Sequence, residues 1–297
     1  MVSGVIPVLY SYFTESGALD LDAHQQQIDW VVRGGAAGLT LFGLASEGAA
    51  LTQAERRTIL LRTSKHLSPS STMLVTVRPD DDIKELTRCV LGSRDRVGLI
   101  VQIGRDPAPS IAQVLHLCAD HGLTARVDIG LQLAPGLIDT QFSAASLRVH
   151  PELLRHINFL KAEYNSVELD SHLCALNSPM QLLVGRQGQN LIDYLRIGAV
   201  GVIPGTEMAI ALQPVLQCWA EGQRQAAIRA YCVVAPYIDF AMQDLDTVID
   251  LGRSVTSKIL GIPLGARRHA SGRDPHAFES AVDMWFSYWQ TMNAGPM

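Results

Sequence analysis

The feature that most constrains this chain is an alternation of two kinds of segment. Short apolar runs follow one another, each separated from the next by a longer stretch with apolar residues at helical spacing. The short runs predict strands at Gly4–Leu9, Gly38–Phe42, Met73–Val77, Gly98–Ile103, Ala125–Leu131, Ile157–Lys161, Gln181–Val184 and Gly201–Ile203. The longer stretches predict helices at Asp22–Arg33, Gln53–His66, Asp82–Leu91, Ser110–His121, Ala144–Leu154, Glu168–Leu176, Asn190–Ile197 and Met208–Ala220. Nearly continuous apolar runs suit strands buried on both faces, and polar residues at helical spacing suit helices facing solvent. Eight β–α pairs in sequence therefore predict an α/β fold, a parallel (β/α)8 TIM barrel rather than an open sheet. Local chemistry agrees: Thr52 with Glu55 forms a capping box at one helix start, and Gly34-Gly35 closes another helix.

Beyond about residue 220 the strand signal stops. Gln223–Gln243, Asp244–Leu260 and Pro275–Met292 predict helices, joined by a Gly/Arg-rich connection over Gly261–Asp274. The expected organisation is a barrel over 1–220 and a C-terminal helical extension over 221–297, packed on it because no linker-like composition intervenes.

Charge and composition narrow the function. A net charge of -5 argues against a nucleic-acid partner, which needs a basic face. No apolar run approaches the roughly 20 residues of a membrane span. The apolar N-terminus lacks a basic leader, so a cytoplasmic chain is expected. The five cysteines are odd in number and lack a Cys-x-x-Cys pair, which predicts buried structural thiols rather than disulfides. His116 and His121 flank Cys118 but match no ligand spacing, and no metal is expected.

In such a barrel the reacting groups sit at the C-terminal ends of the strands. Lys161 is the sharpest signal there, because the chain has only four lysines against twenty arginines and this one ends an apolar strand. Desolvation disfavours a charged ammonium and frees a neutral amine to attack a ketone. The other reading of Lys161 is a rim lysine paired with Glu163, and on these residues alone both stand. The turn Gly43-Leu44-Ala45-Ser46-Glu47 follows strand two, and its small residues let backbone N–H groups approach an anion, with the Ser46 hydroxyl added. Arg78, Arg105 and Arg186 end three strands and could clamp a carboxylate or form rim salt bridges.

These residues together resemble the dihydrodipicolinate synthase / N-acetylneuraminate lyase family, class I Schiff-base lyases on a (β/α)8 barrel. The similarity runs through Gly4-Val5-Ile6-Pro7, Gly43–Glu47 with Leu51–Arg56, Phe159–Glu163 and Gly198–Ile203. It implies that Lys161 forms the imine and that the backbone around Gly43, Ala45, Ser46 and Glu47 holds the substrate carboxylate. Ser11, Arg186 and Ile203, at the ends of strands one, seven and eight, complete the expected substrate-binding set. This sequence also departs from the family pattern. Leu44 and Ala45 replace the two threonines of the turn, Gln132 replaces the strand-five tyrosine, Leu137 stands where the synthase has an arginine, and Ile103-Gly104-Arg105 replaces an aromatic pair. A working dihydrodipicolinate synthase is therefore not expected. The glutamine, the Ser-Glu and the Lys-x-Glu look like the 2-keto-3-deoxy-L-arabonate dehydratase branch, although Leu133 lacks that branch's aspartate.

The expected function is a lyase that dehydrates a 2-keto-3-deoxy sugar acid, or cleaves it to pyruvate, through an imine on Lys161. Glu163 serves as base or water-orienting group and Gln132 as a hydrogen-bonding partner. No cofactor is expected, because the lysine supplies the electrophile. The alternatives are a synthase-like condensation of pyruvate and a barrel that binds a keto acid without turnover. A dinucleotide-binding barrel is disfavoured, since no Gly-x-Gly-x-x-Gly follows a strand. Resemblance alone implies a homo-oligomer, a dimer or tetramer.

Overall fold

The apolar runs pair side by side into one closed sheet. A computed structural model describes residues 2–78, 81–92, 94–103, 107–119, 125–134, 146, 151–176, 180–268 and 275–293. Strands β1 (Gly4–Val5), β2 (Gly38–Leu41), β3 (Thr72–Val77), β4 (Val97–Gln102), β5 (Val127–Leu133), β6 (Phe159–Ala162), β7 (Gln181–Val184) and β8 (Ala199–Val202) are all parallel. The order β1-β8-β7-β6-β5-β4-β3-β2 closes through a bridge from Val8 to Thr40, giving the TIM barrel expected from the alternation.

The intervening helices are α1 (Leu21–Arg33), α2 (Gln53–His66), α3 (Ile83–Leu91), α4 (Pro107–Cys118), α5 (Pro151–Leu154), α6 (Ser166–Leu176), α7 (Leu191–Arg196) and α8 (Gln213–Ala220). The capping box opens α2 as expected: the Thr52 hydroxyl accepts from Glu55 N–H, and Glu55 answers from its carboxylate. Helix α4 starts three residues earlier than expected, because prolines fit a first turn whose N–H groups lack acceptors anyway. Helix α8 starts later than expected, at Gln213, since a separate 3-10 turn occupies Thr206–Met208.

The C-terminal segment forms α9 (Arg224–Ala241), α10 (Leu245–Leu260) and α11 (Pro275–Asn293). These helices meet the C-terminal mouth of the barrel. The Tyr12 hydroxyl, just past β1, donates to Arg253 O at 2.6 Å, and Trp289 Nε1 donates to Glu207 O at 2.7 Å, past β8.

Inside the barrel the packing changes along its axis. Ile6, Leu74, Ile100, Phe159 and Leu183 fill the lower interior. Gly130 on β5 makes room for the Phe159 ring, which any Cβ there would strike. One step further along the strands, Gln102, Gln132 and Lys161 stand abreast in register. Period-two alternation puts them on the same inward face as Ile100, Gly130 and Phe159. The polar layer therefore sits directly on an apolar plug.

The cysteines depart from expectation. Cys174 and Cys232 are exposed and Cys89 and Cys218 half-buried, so among the described thiols none is fully buried. Each of the four sits on a helix outside the barrel, and that shell is where the solvent-facing positions lie.

Candidate active site

Strand β6 carries Lys161 into the barrel interior, and the register sets Gln132 of β5 beside it. Lys161 Nζ lies 2.9 Å from Glu163 Oε1, with both side chains only 5% exposed. Glu163 Oε2 accepts from Gln132 Nε2 at 3.2 Å, and Gln132 Oε1 accepts from Gln102 Nε2 at 3.0 Å. A carboxylate beside an ammonium only accepts, which fixes the orientation of both amides down the chain. The result is a four-member chain running from Gln102 through Gln132 and Glu163 to Lys161, with the lysine as its last member. Gly185, after β7, leaves the volume that Glu163 fills; a Cβ there would run into the carboxylate. The two sequence readings of Lys161 thus coincide: it is paired with Glu163, and the pair is inside the barrel mouth rather than on its rim.

A cavity opens over this pair. Leu44 and Ala45 from the turn after β2 form one side, and Ile203, Pro204 and Gly205 after β8 another. Arg186 and Gln187 after β7 complete the polar part. The remaining wall is apolar: Val8 after β1, and Met242, Leu245 and Val248 from the C-terminal segment. The C-terminal contribution is invisible locally in sequence, since a residue some eighty positions from Lys161 meets it only through tertiary packing.

The turn after β2 is built differently from expectation. Leu44–Ser46 makes one 3-10 turn, entered through Phe42 and left through Glu47, both with positive φ (60° and 51°). The Ser46 hydroxyl donates to Gly43 O at 2.8 Å, and the Ser11 hydroxyl donates to Ser46 O at 2.6 Å. Both hydroxyls are spent on holding the turn, a common use of short polar side chains. Glu47 faces away from the cavity, its carboxylate 3.6 Å from the buried Arg253 guanidinium of α10. Of the expected substrate-binding residues, Ala45, Arg186 and Ile203 line the cavity, whereas Gly43, Ser46, Glu47 and Ser11 support it from behind. Arg78 pairs with Asp81 at 3.6 Å, which also takes a bidentate pair from Arg56, so Arg78 is a rim residue. Arg105 and Leu137 fall outside the described residues.

The turn after β7 has the longest run of left-handed backbone among the described residues. Arg186, Gln187 and Gly188 have φ of 48°, 56° and 86° in succession, closed by Gly188 N→Gly185 O and Gln189 N→Arg186 O bonds of 2.9 and 2.8 Å. Left-handed backbone costs a non-glycine residue about 1–2 kcal/mol, so this conformation needs external support. Gln187 supplies it: its carbonyl accepts from Gly205 N–H and its amide donates to Glu207 Oε1 at 2.9 Å. Glu207 is fully buried and also accepts from the Tyr10 hydroxyl at 2.9 Å. Burial pushes its carboxyl up to about 7 and raises the Tyr10 hydroxyl well above its usual value.

Sequence reasoning passed over Glu207, Gln187 and Gln102. The rule that found Lys161 applies to them too, since each follows or ends a barrel strand. Pro204-Gly205-Thr206-Glu207 reads as a turn, which hid its carboxylate.

The comparisons with known proteins bear on this site. No family model matches the chain. The L-2-keto-3-deoxyarabonate dehydratase of Azospirillum brasilense is 23% identical over 248 residues, covering 80% of this chain and 78% of that protein. The 4-hydroxy-tetrahydrodipicolinate synthase of Xanthomonas axonopodis pv. citri (strain 306) is likewise 23% identical over 248 residues, covering 80% of each. Among solved structures, the Escherichia coli K12 prophage protein YagE, of the dihydrodipicolinic acid synthase family and in complex with pyruvate, superposes with a TM-score of 0.81. It is 18% identical, with 98% of this chain and 99% of that one covered. These relatives define a class of protein, lyases built on a (β/α)8 barrel. Within it, the chain resembles the dihydrodipicolinate synthase / N-acetylneuraminate lyase family in both sequence and fold.

Proposed function

We propose that this chain is a Schiff-base-forming lyase acting on a 2-keto acid, and specifically a dehydratase of a 2-keto-3-deoxy sugar acid. The observation that carries the reading is the buried Lys161 amine at the floor of the cavity, 2.9 Å from Glu163. Glu163 is within reach to take the ammonium proton, which leaves a nucleophilic amine. The amine adds to C2 of the keto acid, Glu163 returns the proton to the carbinolamine hydroxyl, and loss of water gives the protonated imine and leaves Glu163 ionised again. Glu163 then removes a C3 proton, and the electron pair moves into the imine to form an enamine. The enamine expels the C4 hydroxyl, which leaves as water with a proton returned by Glu163. A second water hydrolyses the conjugated imine, releasing product and restoring Lys161. The net change is the loss of one water.

Gln132 holds Glu163 in place and can donate to substrate once Glu163 moves. The carboxylate of the keto acid suits Arg186 and the Leu44 and Ala45 amides, because the first N–H groups of a helical turn have no partner within it. The dehydratase among the relatives supports elimination over cleavage. Breaking C3–C4 instead, through the same enamine, would give pyruvate and an aldehyde.

The test is a product analysis by mass with a panel of 2-keto-3-deoxy sugar acids. A product lighter by one water supports the dehydratase. Pyruvate with an aldehyde would move the assignment to an aldolase. Thermal stabilisation by keto acids without any product would favour a binding protein and overturn the reading.

A further inference from the structure

Glu207 is a buried carboxyl with no place in the imine chemistry, yet space has been cleared for it from several directions. Gly205 lies so close that a Cβ would strike the Tyr10 hydroxyl, the Glu207 carboxylate and the Gln187 amide together. Gly252, on α10, is cleared in the same way against the Tyr10 ring. Tyr10 comes from the segment that follows β1, Gln187 from the turn after β7 and Tyr237 from α9, whose hydroxyl points at Glu207 Oε1 from 3.4 Å. Trp289 of α11 holds the Glu207 backbone carbonyl. Every one of these side chains is neutral, so the carboxyl is held by hydrogen bonds alone. Its one link toward the cavity is Gln187, and Gln187 sits within the left-handed turn whose preceding residue is Arg186. Arg186 Nε is buried without a hydrogen-bond partner, and the side chain lines the cavity above Lys161.

We infer that Glu207 is a positioning residue: through Gln187 it holds the left-handed turn 185–188 so that Arg186 faces the cavity and meets the anionic end of the substrate. The inference rests on the keto-acid reading for the identity of that anion, but its structural half stands apart from it. A left-handed pair of non-glycine residues persists only where its surroundings over-determine it. Here the two bonds of the Gln187 amide, one to Gly205 N–H and one to Glu207, are what pin the turn.

The experiment compares wild type with Glu207→Leu, Gln187→Ala and Glu207→Gln, using two readouts on the full chain. The first is amide hydrogen exchange at Gly188 and Gln189, whose N–H bonds close the turn. The second is the pyruvate concentration giving half-maximal borohydride trapping on Lys161, alongside the trapped fraction at saturation. Losing a buried hydrogen bond is worth about tenfold in an equilibrium. Glu207→Leu and Gln187→Ala are therefore expected to speed exchange at both amides by about tenfold and to raise half-saturation by a similar factor, with the saturating fraction unchanged. Glu207→Gln, which keeps an oxygen for Gln187, is expected to restore both toward wild type.

Wild-type exchange in both Glu207→Leu and Gln187→Ala would overturn the inference. So would faster exchange with half-saturation unmoved, since the turn would then not serve the site. If Glu207→Leu does not fold, Gln187→Ala carries the same test without touching the carboxyl. Failure of wild type to trap pyruvate at all would count against the lyase reading and against the anion assigned to Arg186, while the exchange readout would still decide whether Glu207 holds the turn.

Discussion

Two buried carboxyl clusters sit at the mouth of the same barrel and are wired in opposite ways. Glu163, after β6, has a cation 2.9 Å away and ends a relay of amides. Glu207, after β8, has two tyrosines and a glutamine around it and no cation among them. The first arrangement places an amine and a carboxylate in contact, the pairing on which the proposed imine chemistry rests. The second fixes geometry, since hydroxyl and amide donors from three separate segments converge on one carboxyl. The difference teaches that burial of an acid does not by itself mark chemistry; the partner does.

The largest expected effect removes the cation from the first cluster. Lys161→Ala leaves Glu163 buried beside no charge and deletes the nucleophile, so turnover should fall by more than about 10⁴-fold. Residual activity near wild type would erase the contrast between the clusters.

A third buried acid extends the comparison. Glu47 faces Arg253 with both side chains 2% exposed, and neither carboxylate oxygen has a hydrogen bond. Arg253→Met should strip the ion-pair partner 3.6 Å from Glu47 and cost about 3–5 kcal/mol in denaturant unfolding, the range for breaking a buried pair. A loss under 1 kcal/mol would mean that Glu47 is carried by other contacts.

Glu163→Gln separates proton transfer from packing. The amide preserves volume and can still meet Gln132 but leaves Lys161 without its charged partner, so stability should fall in denaturant unfolding while turnover of the folded variant falls about 10²-fold. A loss of stability with turnover of the folded variant unchanged would assign Glu163 to architecture, like Glu207.

The smallest effect lies in the pH dependence of stability. The Glu207 carboxyl is raised to about 7 by burial, so between about 4.5 and 7 the folded chain holds a proton that the unfolded chain has lost. Stability therefore falls as pH rises through that window. His24, buried against Thr63, is lowered to about 4 by burial and the nearby Arg62. Between about 4 and 6.5 the unfolded chain holds the extra proton, so this group makes stability rise with pH. The two slopes oppose each other over about 4.5–6.5. Glu207→Gln should uncover the histidine slope, up to about 1.4 kcal/mol per pH unit. An unchanged pH profile in the variant would show that Glu207 titrates normally.

The barrel was legible in sequence because its signal is periodic and repeated eight times over. Lys161 was legible because a lysine ending an apolar strand has few places to go. Gln132 was placed just past the end of β5, whereas the strand continues to Leu133. A glutamine reads as the end of an apolar run, but here its amide is satisfied inside the barrel by Gln102 and Glu163. The orientation of Ser46 and Glu47 depended on positive φ at Phe42 and Glu47, which no residue type in that turn announces. The wall from Met242, Leu245 and Val248 depended on how α9 and α10 fold back across the mouth, a long-range event without a local pattern.

The most direct test of the central claim is intact-protein mass spectrometry after borohydride reduction in the presence of pyruvate, followed by peptide mapping. A single adduct on Lys161, absent from Lys161→Ala, is the expected result. No adduct on folded protein, or one spread over Lys65, Lys84 and Lys258, would contradict the assignment of Lys161 as the imine-forming residue.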